Sequence, residues 1–477
     1  MDSISSQART AFKWTVYLRL LSQTFTWFVS LFVIRFLTPA DYGIVALSEI
    51  IFMLALQFSS AGLGDALIRR QNLDNAYTRK ILTLLIILNA AVALIQLSSA
   101  SYLANYYNQP ALEYVLYATA SIFLVSPWIV IASSLLAKEL NFKSRSKVDF
   151  FAAFLGSVIA LTLAIKGLGF WSLVIANLSV VFFRAIGYNI AVKKLHFPLW
   201  QFNEMLPSLK FGLTLMATGI VFTLFMKVDI IIAGKVINAS ELGYYALAMH
   251  LALMPMAKAM PLINEVAYPM YAAIQQDKAR YSDVFNYILR IATLFSFPVF
   301  FGFAAIAEEL VLLLLGDQWQ QAILPLQIVL LTIPLRMISN LFTPLLKALG
   351  FPSTGLIHII FSLGLISALI YIAAPYGINA IAIAWLIATP LFFFFAVYLC
   401  TSRSGILLSS IMQAVAPPLL LSSLMLLALF LIKHYWLSQT HLVFNLICTV
   451  LLGVIFYAIP LKLFFSTRFN EALKFRI

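Results

Sequence analysis

Several ionisable side chains lie inside long apolar stretches of the sequence, where charge is costly. A charge at the centre of a bilayer costs at least about 2.5–3.5 kcal/mol on insertion scales, so such residues normally face a water-filled cavity or a partner. Basic groups placed there suit the binding of an anion, and arginine can bind phosphate oxygens through two parallel hydrogen bonds. The candidates for a substrate-binding cavity are Arg19, Gln57, Arg184, Lys227, His250, Lys258, Arg290 and Arg336.

Two acids, Glu49 and Asp229, stand against this cationic surplus. An isolated buried carboxyl group tends to be protonated, whereas a nearby Arg or Lys keeps it charged. A carboxylate held between these two states can exchange a proton or a sodium ion. Both acids are therefore candidates for ion coupling. For Asp229, a structural tie to a basic residue on another helix remains an equal alternative.

The spacing of polar residues places them on one narrow face of three predicted helices, at about 100° per residue. We expect the first, second and eighth helices to line a shared hydrophilic cavity with these faces. The faces consist of Arg19, Gln23, Thr26 and Ser30; of Glu49, Gln57, Ser60 and Gly64; and of His250, Lys258, Pro261 and Glu265.

Structural roles remain open for the same residues. Arg19 and Arg290 lie close enough to a helix end to extend to the membrane surface. Lys227 and Asp229 have a different structural alternative, which is to tie neighbouring helices together. Arg184, Lys258 and Arg336 lie nearest the middle of their helices, where extension to the surface is hardest.

The elements that carry these residues are predicted to be transmembrane helices. Of the 477 residues, 62% are apolar and only 10% are charged, and the mean hydropathy is +0.97. Apolar stretches long enough to cross a ~30 Å hydrocarbon core recur from end to end. We predict an all-α integral membrane protein with about fourteen spans, near residues 12–37, 42–65, 79–105, 113–138, 146–166, 169–192, 208–234, 241–266, 284–307, 321–347, 354–374, 377–400, 408–432 and 442–465.

The connections between these spans differ in their basic content. With the N-terminus inside, 21 Lys and Arg residues fall in cytoplasmic segments and 4 fall on the opposite side. Basic residues accumulate in cytoplasmic loops of membrane proteins. We therefore expect both termini to be cytoplasmic, and the net charge of +13 needs no nucleic-acid partner to explain it.

The chain also looks duplicated, because the stretch 35–47 returns at 235–247 with an offset of 200. Both copies end one helix with a basic residue and begin the next with a capping residue, Thr38 or Asn238, followed by an acid three positions later. We predict two pseudo-symmetric six-helix bundles and two extra C-terminal helices. The domain boundaries are 1–200, 201–402 and 403–477.

Motifs of other function classes are missing from the sequence. We find no nucleotide-binding glycine loop, no cysteine–histidine spacing for a metal, and no large polar domain. The two cysteines, Cys400 and Cys448, both lie in apolar segments. We therefore expect no cofactor and no catalytic site.

Five short stretches resemble the polysaccharide transporter branch of the multidrug/oligosaccharidyl-lipid/polysaccharide exporter superfamily, and the similarity covers nearly the whole chain. The resemblance implies a Wzx-type flippase of the bacterial inner membrane, with two helical bundles around a central cavity. Its substrate would be an undecaprenyl-pyrophosphate-linked glycan, and its partners would include a polysaccharide polymerase and other assembly proteins. The stretches are 35–43, 62–69, 227–229, 241–245 and 346–350.

Two other functions remain open. A drug or small-metabolite antiporter of the same fold would more naturally present acids to cationic drugs. A membrane-embedded glycan polymerase or ligase would be expected to hold catalytic groups in a sizeable outer loop, and none is visible in the sequence. A pyrophosphate must cross a region of low dielectric constant, and a cavity rich in Arg and Lys lowers that barrier.

Overall fold

The computed structural model describes residues 21–71, 73–203, 205–437 and 441–473, and within these ranges it contains helices and connecting segments but no strands. The predicted all-α membrane fold is confirmed. In chain order the helices are α1 Leu21–Phe36, α2 Pro39–Ser60, α3 Leu63–Arg69, α4 Asn75–Tyr106, α5 Pro110–Ala120, α6 Ile122–Lys138, α7 Phe142–Ile165, α8 Trp171–Val192, α9 Leu206–Val236, α10 Ala239–Ile274, α11 Lys278–Ala305, α12 Ala307–Leu314, α13 Ile323–Ala348, α14 Ser353–Ala373, α15 Ile378–Ser404, α16 Leu408–Ile432 and α17 Leu442–Leu473.

Eleven described helical stretches are long and apolar enough to cross a membrane, and two bent helix pairs raise that number to 13. The first predicted span, 12–37, is described only over the apolar helix α1. The fold is compatible with fourteen spans, and the exact number stays a prediction.

The two duplicated turns form the caps predicted from the sequence. The backbone N–H of Asp41 donates to Thr38 Oγ1 at 3.2 Å, and the N–H of Thr38 donates to Asp41 Oδ2 at 3.0 Å. In the second copy the N–H of Glu241 donates to Asn238 Oδ1 at 2.9 Å. These bonds satisfy backbone donors that the first turn of a helix leaves without partners.

The same two turns pack against each other through reciprocal glycines. A Cβ atom added to Gly43 would lie 2.0 Å from the carbonyl oxygen of Ala239, and one added to Gly243 would lie 1.8 Å from that of Pro39. Each would also lie 3.1 Å from the backbone nitrogen of the other glycine. The beginnings of α2 and α10 therefore approach each other as closely as their backbones allow.

Three predicted spans are not straight. The span predicted over 42–65 breaks between α2 and α3, where Ala61 and Gly62 adopt positive φ angles of 40° and 61°. Helices α5 and α6 meet at an angle of 42°, and α10 bends by 43° beyond Pro261. A proline inside a helix removes a backbone hydrogen bond and permits such a kink. The predicted span runs across this break, although Ser59, Ser60, Gly62 and Gly64 around it are poor helix formers.

The chain divides into two compact units, Met1–Gly243 and Tyr244–Ile477. In the first unit α8 packs against α6 and α7, and α9 packs along α2. In the second unit α13 packs against α11 and α15. The division into domains at residues 200 and 402 stays a prediction.

The C-terminal helices of the second unit are bonded to α11. Thr293 Oγ1 donates to the carbonyl of Ala414 at 2.9 Å, and the Tyr457 hydroxyl donates to that of Leu294 at 3.0 Å. At one end of α16, Lys433 Nζ lies 2.8 Å from Glu309 Oε1 and 3.4 Å from Glu308 Oε2. The two extra helices are thus part of the second unit's core.

Candidate functional site

Two polar pairs join α2 to α9 in the first unit. Lys227 Nζ lies 3.2 Å from Glu49 Oε2, and the Gln57 amide nitrogen donates to Thr223 Oγ1 at 3.3 Å. The Glu49 side chain is 48% exposed and the Lys227 side chain 20%. The structure therefore brings together one predicted substrate-binding cation and one predicted coupling acid.

Close helix packing explains why these pairs can form. A Cβ atom on Gly219 would lie 2.3 Å from Gln57 Oε1, and one on Gly234 would lie 2.6 Å from a Leu47 methyl group. Residues with higher numbers on α2 contact residues with lower numbers on α9, so the two helices are antiparallel. Glu49 and Gln57, two members of the polar face predicted on the second helix, thus contact α9.

Asp229 lies on α9, two residues beyond Lys227, and it is only 1% exposed. Its Oδ1 atom accepts the backbone N–H of Ile230 at 2.8 Å. This burial is compatible with both predicted roles, ion coupling and a structural tie.

Arg184 forms an ion pair that sequence analysis did not foresee. Its Nε atom lies 3.0 Å from Asp149 Oδ1, and the Tyr188 hydroxyl donates to the same carboxylate oxygen at 2.7 Å. Both charged side chains are about two-fifths exposed. Asp149 lies near the beginning of α7, inside the predicted span 146–166. An acid inside a predicted span is a signal by which the sequence could have identified this residue. The positive charge of Arg184 is thus balanced by the carboxylate of Asp149.

Arg336 lies in the core of the second unit, and it is 6% exposed. Its Cζ atom is 4.3 Å from the centre of the Trp385 ring, and the Trp385 Nε1–H donates to the Tyr245 hydroxyl at 2.9 Å. Stacking on an aromatic face is a common way to hold a buried guanidinium group. Nothing in the sequence spacing points to Trp385, because it is 49 positions away on α15.

Exposed basic side chains occur on α10, within an apolar helix. His250 and Lys258 are both exposed, and their separation of eight residues places them within about 80° of one another. Arg290 on α11 is half-buried. Arg19 and the side chain of Glu265 lie outside the described residues. The cavity predicted to be shared by helices one, two and eight stays a prediction.

In the first unit Arg184 and Lys227 each pair with one carboxylate, and in the second unit Arg336 stacks on a ring. Among the described residues, no group of three or more His, Cys, Asp or Glu side chains is placed to hold a metal ion.

Comparison with known sequences yields one family and several relatives. The family described as "Polysaccharide biosynthesis protein" matches residues 32–324, more than half of the chain. An uncharacterized membrane protein in the cps region of Klebsiella pneumoniae is 24% identical over 66% of this chain and 65% of its own length. The succinoglycan biosynthesis transport protein ExoT of Rhizobium meliloti is 23% identical over 90% of this chain and 87% of its own. The chain thus spans just under two thirds of the first relative.

Two solved structures share the fold. The lipid II flippase MurJ in an inward closed conformation superposes with a TM-score of 0.77, at 13% identity, over 95% of this chain and 99% of MurJ. An inward-facing multidrug resistance transporter of the MATE family superposes with a TM-score of 0.62, at 15% identity, over 80% of this chain and 96% of its own. At these identities the likeness concerns the fold.

Proposed function

This chain belongs to the polysaccharide biosynthesis protein family, and on that premise we propose that it is a flippase of lipid-linked glycans. It carries undecaprenyl-pyrophosphate-linked oligosaccharide repeat units from the cytoplasmic to the periplasmic leaflet of the bacterial inner membrane. The units then serve the synthesis of a surface polysaccharide. Transport proceeds by alternating access through a cation-rich cavity, without covalent chemistry on the substrate.

Two findings support this proposal beyond family membership. ExoT, a relative over 90% of this chain, is named as a transport protein of succinoglycan biosynthesis. The fold is shared with MurJ, a flippase of a lipid-linked substrate. A carrier of this kind must lower the cost of moving a pyrophosphate through a region of low dielectric constant, and basic groups do so by pairing with phosphate oxygens.

The observation that carries the proposal is the exposed basic face of α10. A helix that met only lipid or packed neighbours would not keep a lysine and a histidine exposed two turns apart, because each costs free energy in hydrocarbon. We propose that Lys258 and His250 contact the pyrophosphate, together with Arg19, Arg184, Lys227, Arg290, Arg336 and Gln57 at other stages of transport.

Orientation and partners belong to the same proposal. The basic connections face the cytoplasm, and both termini lie on that side. The substrate enters from the cytoplasmic leaflet, where such lipid-linked units are assembled, and a polysaccharide polymerase and other assembly proteins receive it on the opposite side.

Substitution of Lys258 tests the function. In a strain that depends on this protein for its surface glycan, Lys258→Ala should abolish the glycan at an unchanged protein level, whereas Lys258→Arg should retain part of it because the positive charge remains. The matched control is Lys166→Ala, which removes an exposed lysine just after α7 and should leave the glycan intact.

A second assay separates the flippase from an antiporter of the same fold. Proteoliposomes containing the purified chain should transfer an undecaprenyl-pyrophosphate-linked oligosaccharide between leaflets and should not export cationic dyes. Export of dyes without lipid transfer would contradict the proposal, as would normal surface glycan in a strain that lacks the protein.

A further inference from the structure

A group of basic and aromatic side chains lies at the predicted cytoplasmic end of the first unit. It forms where α3 ends, beside the beginnings of α4 and α9. A Cβ atom on Gly212 of α9 would lie 2.0 Å from the carbonyl oxygen of Ala61, so α9 lies directly against the break between α2 and α3. We call this group the basic cluster: Arg69, Arg70, Tyr77, Lys138, Ser208 and Phe211.

Aromatic rings orient both guanidinium groups of the basic cluster. The Cζ atom of Arg70 is 3.8 Å from the centre of the Tyr77 ring, and that of Arg69 is 5.0 Å from the centre of the Phe211 ring. The Tyr77 hydroxyl is 2.5 Å from Ser208 Oγ, which fixes the ring between two helices. Stacking uses the face of a guanidinium group, whereas phosphate oxygens bind to its N–H edge.

Lys138 adds a third positive charge at the same place. Its Nζ atom donates to the carbonyl oxygens of Leu67, at 3.3 Å, and of Arg70. The Leu67 carbonyl belongs to the last turn of α3, where helical N–H partners run out, and Arg70 is the residue that follows the helix. Among the described residues, neither Arg69 nor Lys138 forms an ion pair with a carboxylate.

The segment after α8 shows that this positive charge extends along the end of the unit. Residues 193–203 run beside the beginning of α4, where Arg79 Nε donates to the carbonyl of Phe197 at 3.0 Å. Burial lowers the pKa of His196, and the charges of Lys194 and Arg79 lower it further. A cationic imidazole is disfavoured here because neighbouring cations raise the local potential.

Apolar side chains are exposed beside these cations. Phe197, Trp200 and Phe202 lie on the segment after α8 and remain about half or more exposed, although they are large and apolar. Exposed aromatic residues interleaved with lysine and arginine are typical of a polypeptide segment that lies in the headgroup layer of a membrane. The ligand of the basic cluster would therefore approach from the bilayer.

We propose that the basic cluster binds the phosphate headgroup of an anionic phospholipid from the adjacent leaflet. Two oriented guanidinium groups and one ammonium group match the oxygens of a phosphodiester, and the exposed aromatic side chains contact its acyl chains. The bound lipid bridges α3 and α9 across the break at Ala61 and Gly62. This lipid is distinct from the transported substrate, and its binding does not depend on the proposed flippase activity.

Native mass spectrometry of the full-length purified protein tests the site, with phosphatidylglycerol as the probe and phosphatidylcholine as the neutral comparison. Because each basic residue near a membrane surface contributes about 1 kcal/mol to the attraction of anionic lipid, the double variant Arg69→Gln/Arg70→Gln should bind phosphatidylglycerol about 30-fold more weakly. The matched control Lys166→Gln/Lys235→Gln removes two exposed lysines from the opposite end of the unit and should bind it normally.

A second variant guards against loss of folding. Arg69→Lys/Arg70→Lys keeps both charges and removes the planar N–H edges, so it should fold and should show a smaller loss, of a few-fold. Undecaprenyl pyrophosphate should bind the Gln variant as it binds the unsubstituted protein. Three results would overturn the proposal. They are an unchanged affinity of the Gln variant for phosphatidylglycerol, an equal loss of affinity in the control variant, and an equal loss of affinity for phosphatidylglycerol and phosphatidylcholine.

Discussion

Lys433 shows how much the environment of an ion pair matters at the scale of single residues. It contacts two neighbouring acids, and these differ sharply: Glu309 is 1% exposed, whereas Glu308 is 51% exposed. A buried charge that loses its partner typically costs about 3–5 kcal/mol, whereas an exposed pair contributes about 0–1 kcal/mol. The two contacts are therefore unequal, and the buried contact with Glu309 is also the shorter, at 2.8 Å against 3.4 Å.

We predict that Lys433→Met destabilises the protein by about 3 kcal/mol or more, because it leaves the Glu309 carboxylate buried without its cation. Glu308→Gln should change stability by less than about 1 kcal/mol. Thermal unfolding of the purified variants in nanodiscs measures both. Recovery of most of the loss in Lys433→Met/Glu309→Met would show that the pair is replaceable by apolar contact, and equal melting temperatures for Lys433→Met and Glu308→Gln would refute the ranking.

The two coupling candidates also differ at this scale. The charge of Glu49 is balanced by Lys227, whereas Asp229 is almost fully buried on the same helix as that lysine. We predict that Asp229→Asn abolishes flipping driven by an ion gradient while folding and substrate binding remain, because Asn keeps the shape of Asp but cannot carry the ion.

Proteoliposomes with an imposed proton or sodium gradient provide the measurement for Asp229. The control is the rate of lipid transfer without a gradient, which should be equal in the Asn variant and the unsubstituted protein. An Asn variant that still responds to the gradient would show that Asp229 is a structural tie.

At the scale of helices, backbone contacts at glycine decide the packing. We predict that Gly43→Ala and Gly243→Ala each destabilise the contact between α2 and α10 by about 1–3 kcal/mol, because the added Cβ would overlap a carbonyl oxygen. Gly302→Ala and Gly364→Ala are the matched controls. Both glycines are helical with no atom in reach of an added Cβ, so alanine should be neutral or stabilising there.

Melting temperatures and surface glycan should be measured together for these four variants. The contact variants should lower both, and the controls should lower neither. Uniform effects across all four would mean that the loss follows from glycine replacement in general and not from the contact.

Local signals in the sequence account for the helices and their caps but not for their pairings. The capped turns at Thr38 and Asn238 can be predicted because a cap is formed by residues three positions apart. The partners of Arg184 and Arg336 cannot be predicted in this way, because Asp149 and Trp385 lie on other helices and come into contact only through helix packing. For the same reason the contacts of Glu49 and Gln57 with α9 had no signal in the spacing along α2.

For the whole molecule, orientation in the membrane follows from the distribution of charge. We predict that a reporter fused at residue 205 or 477 is active in the cytoplasm and that one fused at residue 168 is active in the periplasm, because basic residues concentrate in alternate connections. The two reporters are alkaline phosphatase, which is active in the periplasm, and green fluorescent protein, which is fluorescent in the cytoplasm. Fusions of each at the same position therefore report on opposite sides of the membrane. A periplasmic signal at residue 477 would refute the number of fourteen spans.

The reciprocal packing of Gly43 and Gly243 has the form of a two-fold symmetric interface. Each turn presents to the other the same groups that it receives, as the two sides of an isologous dimer interface do. A chain with a single copy of the predicted six-helix repeat would carry both sides of this contact and could form it with a second identical chain. Such a single-repeat chain would therefore meet its copy through Gly43 or its counterpart, and a bulkier residue there would block the pairing.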